Sequence, residues 1–125
     1  MDRTFLLVGA LAGVVGVALG AFGAHGLRGR LSPDMLAVFE TGVRYQMYHV
    51  FAIVAAAWAW ARWPSRALAL AGGLFVAGIV VFSGSLYLLA FTGVRWLGAV
   101  TPLGGLAFLA GWLCLTYGAA ANMRA

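Results

Sequence analysis

Residues 5–24 read FLLVGALAGVVGVALGAFGA, twenty positions without a charge. About 20 consecutive apolar residues in helical form cross the roughly 30 Å hydrocarbon layer of a bilayer. The stretch therefore reads as a membrane-crossing helix, opened by Thr4 as a cap and closed near Ala24, with Gly26 placed to supply a left-handed residue behind it. It is longer than a usual signal-peptide core, so the small residues from Ala21 to Ala24 are expected to belong to a retained helix rather than to a cleavage site. Gly9, Gly13, Gly16, Gly20 and Gly23 follow at intervals of four, three, four and three, which keeps all five on one face. In lipid such a stripe lets a neighbouring backbone approach closely, the other reading being a glycine-lined passage. On the packing reading Gly16→Leu should disrupt the fold, whereas Ala18→Leu, about 200° around the helix, should not.

Working outward, Ser32-Pro33-Asp34 supplies a capping hydroxyl, a proline at the first helical position and an acid near the positive dipole end. A second helix over residues 33–62 follows, about 45 Å long, so that its first turns reach the interface. Trp58, Trp60 and Trp63 mark its far end, and Pro64-Ser65 closes it. A third helix is expected over residues 66–91, with Ala69, Gly73, Ala77 and Gly84 as small packing residues. A fourth, opened by Thr101-Pro102, runs over residues 101–121 and carries a second small-residue stripe at Gly104, Ala107, Gly111, Cys114 and Gly118. The fold class is thus an all-α integral membrane protein, a four-transmembrane-helix bundle with short loops in one domain over residues 1–125. Two stripes suggest close contacts inside the bundle or between subunits.

Composition agrees. Of 125 residues 64% are hydrophobic and 9% charged, with a mean hydropathy of +0.99, whereas a soluble domain has about a quarter of its residues charged. The eight basic residues are all Arg against three acids, and they stand singly or in pairs between apolar runs, which suits topology and headgroup contact rather than nucleic acid. The single Cys114 excludes an intrachain disulfide. Four crossings put both termini on one side with Arg3, Arg62, Arg66 and Arg124, against Arg28, Arg30, Arg95 and the intrahelical Arg44 on the other. That near tie leans toward cytoplasmic termini, because Arg44 belongs to a helix rather than a loop.

Counted upward from the terminal side, His25 lies about 31 Å, Arg44 about 27 Å, Glu40 about 33 Å, Ser83 about 26 Å and Tyr87 about 32 Å along their helices. Thr101 starts the fourth helix at the same end, and Tyr45, Gln46, Tyr48 and His49 lie just below. Isolated polar groups in hydrocarbon cost several kcal/mol each, so these residues are expected to converge. Glu40 and Arg44 stand four apart, acid first, the favourable order for an intrahelical ion pair. Arg44 is expected at the centre of the cluster, meeting Glu40 and one further partner, with His25 and Tyr87 beside it and Gln46, His49, Ser83 and Thr101 as wall or floor. A structural pair that merely solvates a helix end is the plain reading of Glu40 and Arg44; His25 can likewise cap a helix C-terminus, and His49 can bridge two helices. The variant Arg44→Lys separates the two readings: it lowers stability in a structural network and abolishes binding in a ligand site.

No metal set is legible, since two histidines on different helices lack further ligands. Ser83-Gly84-Ser85 lies within a helix and lacks the flanks of a nucleophile elbow, and Gly104-Gly105 lacks the lysine of a phosphate loop. No catalytic residue and no cofactor is implied.

The motifs Ala21-Phe22-Gly23-Ala24-His25-Gly26-Leu27, Phe39-Glu40-Thr41-Gly42-Val43-Arg44-Tyr45-Gln46 with His49, Phe82-Ser83-Gly84-Ser85-Leu86-Tyr87, and Thr101-Pro102-Leu103-Gly104-Gly105 with Gly111-Trp112 resemble the small bacterial membrane proteins grouped as domain of unknown function 423, whose animal relatives are called transmembrane protein 256. The resemblance spans nearly the whole chain. It implies a four-helix protein of the bacterial inner membrane and supplies no activity.

The expected function is accordingly that of a non-enzymatic membrane protein whose one-sided polar cluster, His25, Glu40, Arg44, Tyr45, Gln46, His49, Ser83, Tyr87 and Thr101, binds a small ligand, a lipid headgroup or a partner subunit. A small-solute or ion transporter or channel, and an interfacial lipid- or quinone-linked enzyme or redox subunit, are the alternatives. Membrane lipids, a second copy or another membrane subunit are the expected partners.

Overall fold

A computed structural model of the chain describes residues 2–123. Arg124, counted above on the terminal side, lies outside them. Four long helices make up the described chain: α1 (Asp2–His25), α2 (Pro33–Arg62), α3 (Arg66–Thr92) and α4 (Leu97–Asn122). In α3 the stretch Ile79–Ser83 is wound as a π-helix between two α-helical parts. The Ser32 hydroxyl accepts from the Met35 N–H at 3.2 Å, and Ser65 does the same for Leu68, so each serine satisfies an amide left free at a helix start. Gly93, at φ +71°, ends α3, and Gly29, at φ +80°, turns the loop after α1. Gly26 is not left-handed. A Cβ there would instead strike the Phe22 ring at 2.7 Å, so glycine serves for space rather than for conformation.

α4 begins four residues before the expected Thr101-Pro102 start. Pro102 sits inside the helix near its N-terminal end, where the missing amide removes one hydrogen bond, and the Thr101 hydroxyl bonds back to the Leu97 carbonyl at 3.3 Å instead of capping.

α1, α3 and α4 are long and apolar enough to cross a membrane. α2 is as long but less clearly a span by composition, since it carries Glu40, Arg44, Gln46 and His49. It is also the innermost helix, touching α1 along one side, α3 along another and α4 around His49. Its buried face, Phe39, Gly42, Gln46, His49, Val50, Ile53 and Ala56, is shielded from lipid by its neighbours.

Both glycine stripes are occupied within the one chain. On α1, a Cβ at Gly9 would meet Ile53 at 3.1 Å, at Gly13 Val50 at 3.4 Å, at Gly20 Val43 at 3.4 Å and at Gly23 Phe39 at 2.8 Å, while at Gly16 it would run into Met47; the whole stripe lies on α2. On α4, Gly104 meets the backbone of Phe82, Gly111 the Phe75 ring at 2.6 Å and Gly118 Leu68 at 2.6 Å; Ala107 is half-buried on the same helix. That stripe lies on α3. Neither stripe is therefore left over for a second subunit, and α1 and α4 do not pack on each other among the described residues. Their outward faces are instead Leu7, Leu11, Val14 and Val17 on α1 and Leu106, Leu109 and Leu113 on α4, all exposed as lipid-facing side chains are.

α3 departs from its expected small-residue face. Gly73 and Ala77 are exposed, and nothing lies within 4 Å of a Cβ built on Gly73 or Gly84. The close approaches come one residue away, at Gly72 against Phe5 and Gly78 against Phe108. The helix turns the Leu68, Ala71, Gly72, Phe75 and Gly78 face inward, since that face carries the bulk that fills the space between α2 and α4. Cys114 is a free, half-buried thiol packed at the edge of this apolar core.

Candidate functional site

The polar residues at the non-terminal end separate into an inward and an outward set, and position around α2 decides which. Gln46, Phe39, Gly42, His49 and Val50 share one side of the helix. Arg44, two residues from Gln46, is about 200° around from it, and Glu40 lies on the Arg44 side, one turn away.

Inward, Gln46 is the hub. Its Nε2 donates to the Ala12 carbonyl of α1 at 2.8 Å, and its Oε1 accepts from the Tyr87 hydroxyl of α3 at 2.6 Å, so one buried amide fastens three helices. Tyr87 is held in place by Phe39, whose ring centroid is 5.3 Å away, and by Gly42, where a Cβ would collide with the tyrosine ring at 2.7 Å. Ser83 and Ser85 are two residues apart on α3 and point to opposite neighbours. Ser83, fully buried, donates to the Gly42 carbonyl at 2.6 Å, and Ser85 Oγ lies 2.6 Å from Thr101 Oγ1 on α4. The π-helical turn ends at Ser83; its extra residue sets the register in which one serine meets α2 and the other α4.

His49 bridges α2 to α4. Its Nδ1 is 2.7 Å from the Tyr45 carbonyl, which can only accept, so Nδ1 carries the hydrogen; its Nε2 accepts from the Trp112 indole N–H at 3.1 Å. The imidazole is thereby fixed as the neutral Nδ1–H tautomer, stacked on Phe108 at 3.5 Å between centroids. Both nitrogens are engaged, so metal or haem ligation would require breaking one of these bonds. No group of three His, Cys, Asp or Glu side chains able to hold a metal occurs among the described residues. Every buried side-chain nitrogen and oxygen among them has a hydrogen-bond partner.

Outward, His25, Glu40 and Arg44 are exposed and take no part in these bonds, so the expectation of Arg44 at the centre of the cluster is corrected: Gln46 occupies that place. Agreement in height along the bundle is not agreement in direction. Tyr45 is also exposed; its carbonyl joins the His49 bond, while its ring faces Phe82 and Tyr48. Glu40 and Arg44 border a cleft of about 280 Å³ between α1 and α2, completed by Gly20, Phe39 and Val43. Trp112 and Ser85 were not anticipated as members of the inward set. The signal was available for Trp112, a donor-only indole within an apolar helix that needs an acceptor from a neighbour.

The family model described as "Protein of unknown function (DUF423)" matches residues 19–105, which contain every polar residue of both sets except Trp112. The chain belongs to this family. Its relatives include the UPF0382 membrane protein SH2409 of Staphylococcus haemolyticus, 48% identical over 90% of this chain and 92% of the relative, and the UPF0382 membrane protein YwdK of Bacillus subtilis, 43% identical over 94% and 96%. The UPF0382 inner membrane protein YgdD of Escherichia coli K12 is 42% identical over 94% of this chain and 90% of its own length. No solved structure matches. Membership of this family agrees with the helical fold: the chain is a helical membrane protein.

Proposed function

We propose that this family member is a non-enzymatic protein of the bacterial inner membrane that binds a phospholipid headgroup at the Glu40–Arg44 cleft, with both termini cytoplasmic and the cleft in the opposite leaflet. The observation that supports this reading is the division of the polar residues. Gln46, Tyr87, Ser83, Ser85, Thr101, His49 and Trp112 are satisfied by one another or by backbone carbonyls, whereas Glu40 and Arg44 are left facing out beside a cleft at the non-terminal end of the bundle. A guanidinium with its planar fork exposed matches a phosphate bidentately. A transport path would call for polar groups free to hold a solute, and the buried ones here are already engaged.

Because Arg44 is exposed and makes none of the inward bonds, its replacement is expected to leave them intact, which supports the binding reading of Arg44→Lys. Arg44→Gln is expected to melt at the wild-type temperature in detergent yet to lose most of the phospholipid that co-purifies with the protein, as counted by native mass spectrometry. Equal lipid occupancy in the two proteins overturns the proposal.

A further inference from the structure

Glu40 and Arg44 are one helical turn apart on the same exposed face, and their order along the membrane normal is fixed by the direction of α2. The helix starts at its non-terminal end with Pro33, so Arg44 lies about 6 Å deeper in the bilayer than Glu40. A phospholipid presents its charges in a matching order. The phosphate is bonded to the glycerol at the top of the hydrocarbon, and any amine is carried beyond it on the headgroup. Of the residues that line the cleft, α1 contributes Gly20 alone, so no α1 side chain stands beside Glu40 and Arg44 there.

We propose that the cleft selects a zwitterionic phospholipid with a primary amine, a phosphatidylethanolamine, the phosphate on Arg44 and the ammonium on Glu40. This rests on the headgroup reading above and adds the choice of lipid. A primary ammonium has three N–H donors for the Glu40 carboxylate; the quaternary amine of a choline lipid has none, and a glycerol headgroup brings no positive charge to meet the acid. Arg28 and Arg30 stand in the exposed loop beyond α1 and attract any phosphate, so discrimination falls to Glu40.

The test is native mass spectrometry of the full chain in detergent, titrated separately with ethanolamine, choline and glycerol phospholipids of identical acyl chains. The expected result is about tenfold tighter binding of the ethanolamine lipid, the effect of one charge-assisted contact. Glu40→Gln should remove that preference while leaving the weaker binding of all three lipids, and Arg44→Gln should weaken all three. Circular dichroism and melting should match wild type in both variants, since both side chains are exposed. If Arg44→Gln weakens all three lipids but wild type binds them equally, or Glu40→Gln keeps the ethanolamine preference, lipid choice is overturned and headgroup binding stands. If wild type retains none of the three lipids, or if neither variant changes binding of any lipid, both readings fail.

Discussion

Gly104→Ala is expected to lower the stability of the bundle by about 3 kcal/mol, the upper part of the usual range for overpacking. A Cβ at this position would lie 2.7 Å from the Phe82 Cα and against the Phe82 amide nitrogen, so relief requires α3 and α4 to move apart as backbones. Such a shift also pulls Ser85 from Thr101, the hydrogen bond that crosses the same interface. The control is Gly73→Ala, which adds a methyl where nothing lies within 4 Å and replaces a poor helix former; it should be neutral or slightly stabilising. On α1, Gly16→Leu should destabilise by a smaller amount, since the atom met first is the flexible thioether of Met47, and the exposed Ala18→Leu should be silent. Thermal or steric-trap unfolding in detergent that ranks Gly104→Ala with Gly73→Ala would contradict this picture of the α3–α4 contact.

Gln46→Leu is expected to be the next most damaging change, because it keeps most of the volume but strands the Tyr87 hydroxyl among apolar groups and unties α1 from α2 at Ala12. Interhelical hydrogen bonds in membranes average about 0.6 kcal/mol and reach about 1.7 kcal/mol, and burial with two partners places Gln46 toward the upper figure. Tyr87→Phe removes the same bond from the other side. A double-mutant cycle should therefore return a coupling energy of about 1 kcal/mol or more, measured as unfolding free energies of the four proteins. Additive effects would mean that the Gln46–Tyr87 bond does not hold α2 to α3.

Much of the fold was legible because the bilayer restricts the options. Long apolar runs, Ser-Pro-Asp and Pro-Ser breaks and tryptophans at one end are signals of length and capping, and these depend on local sequence. The start of α4 was misplaced because Thr-Pro resembles a cap wherever it occurs, although proline is tolerated near a helix start. The candidate site was legible in height and not in direction. Rise per residue put Gln46, Ser83, Tyr87, Glu40 and Arg44 near one level, but the 100° turn per residue separates Arg44 from Gln46, and that angle decides which of them faces inward. The π-turn at Ile79–Ser83 was not legible at all, since it adds a residue to the helical register without any sequence break; it also shifts which small residues of α3 face α4. Trp112 was missed because it lies in the middle of an apolar helix, one turn from Phe108, and only the placement of His49 on α2 shows what its indole donates to.

The central claim is that the inward polar residues fasten the helices while Arg44 faces out to lipid phosphate. Solid-state NMR of the ¹⁵N-arginine protein in phospholipid bilayers tests it most directly, through ¹⁵N–³¹P dephasing with the Arg44→Gln protein as the difference reference. The expected result is a short nitrogen–phosphorus contact that disappears in Arg44→Gln, with the chemical shifts of Gln46, Tyr87 and His49 unchanged. A difference spectrum without that contact, or loss of the inward residues' native shifts when Arg44 is replaced, would contradict it.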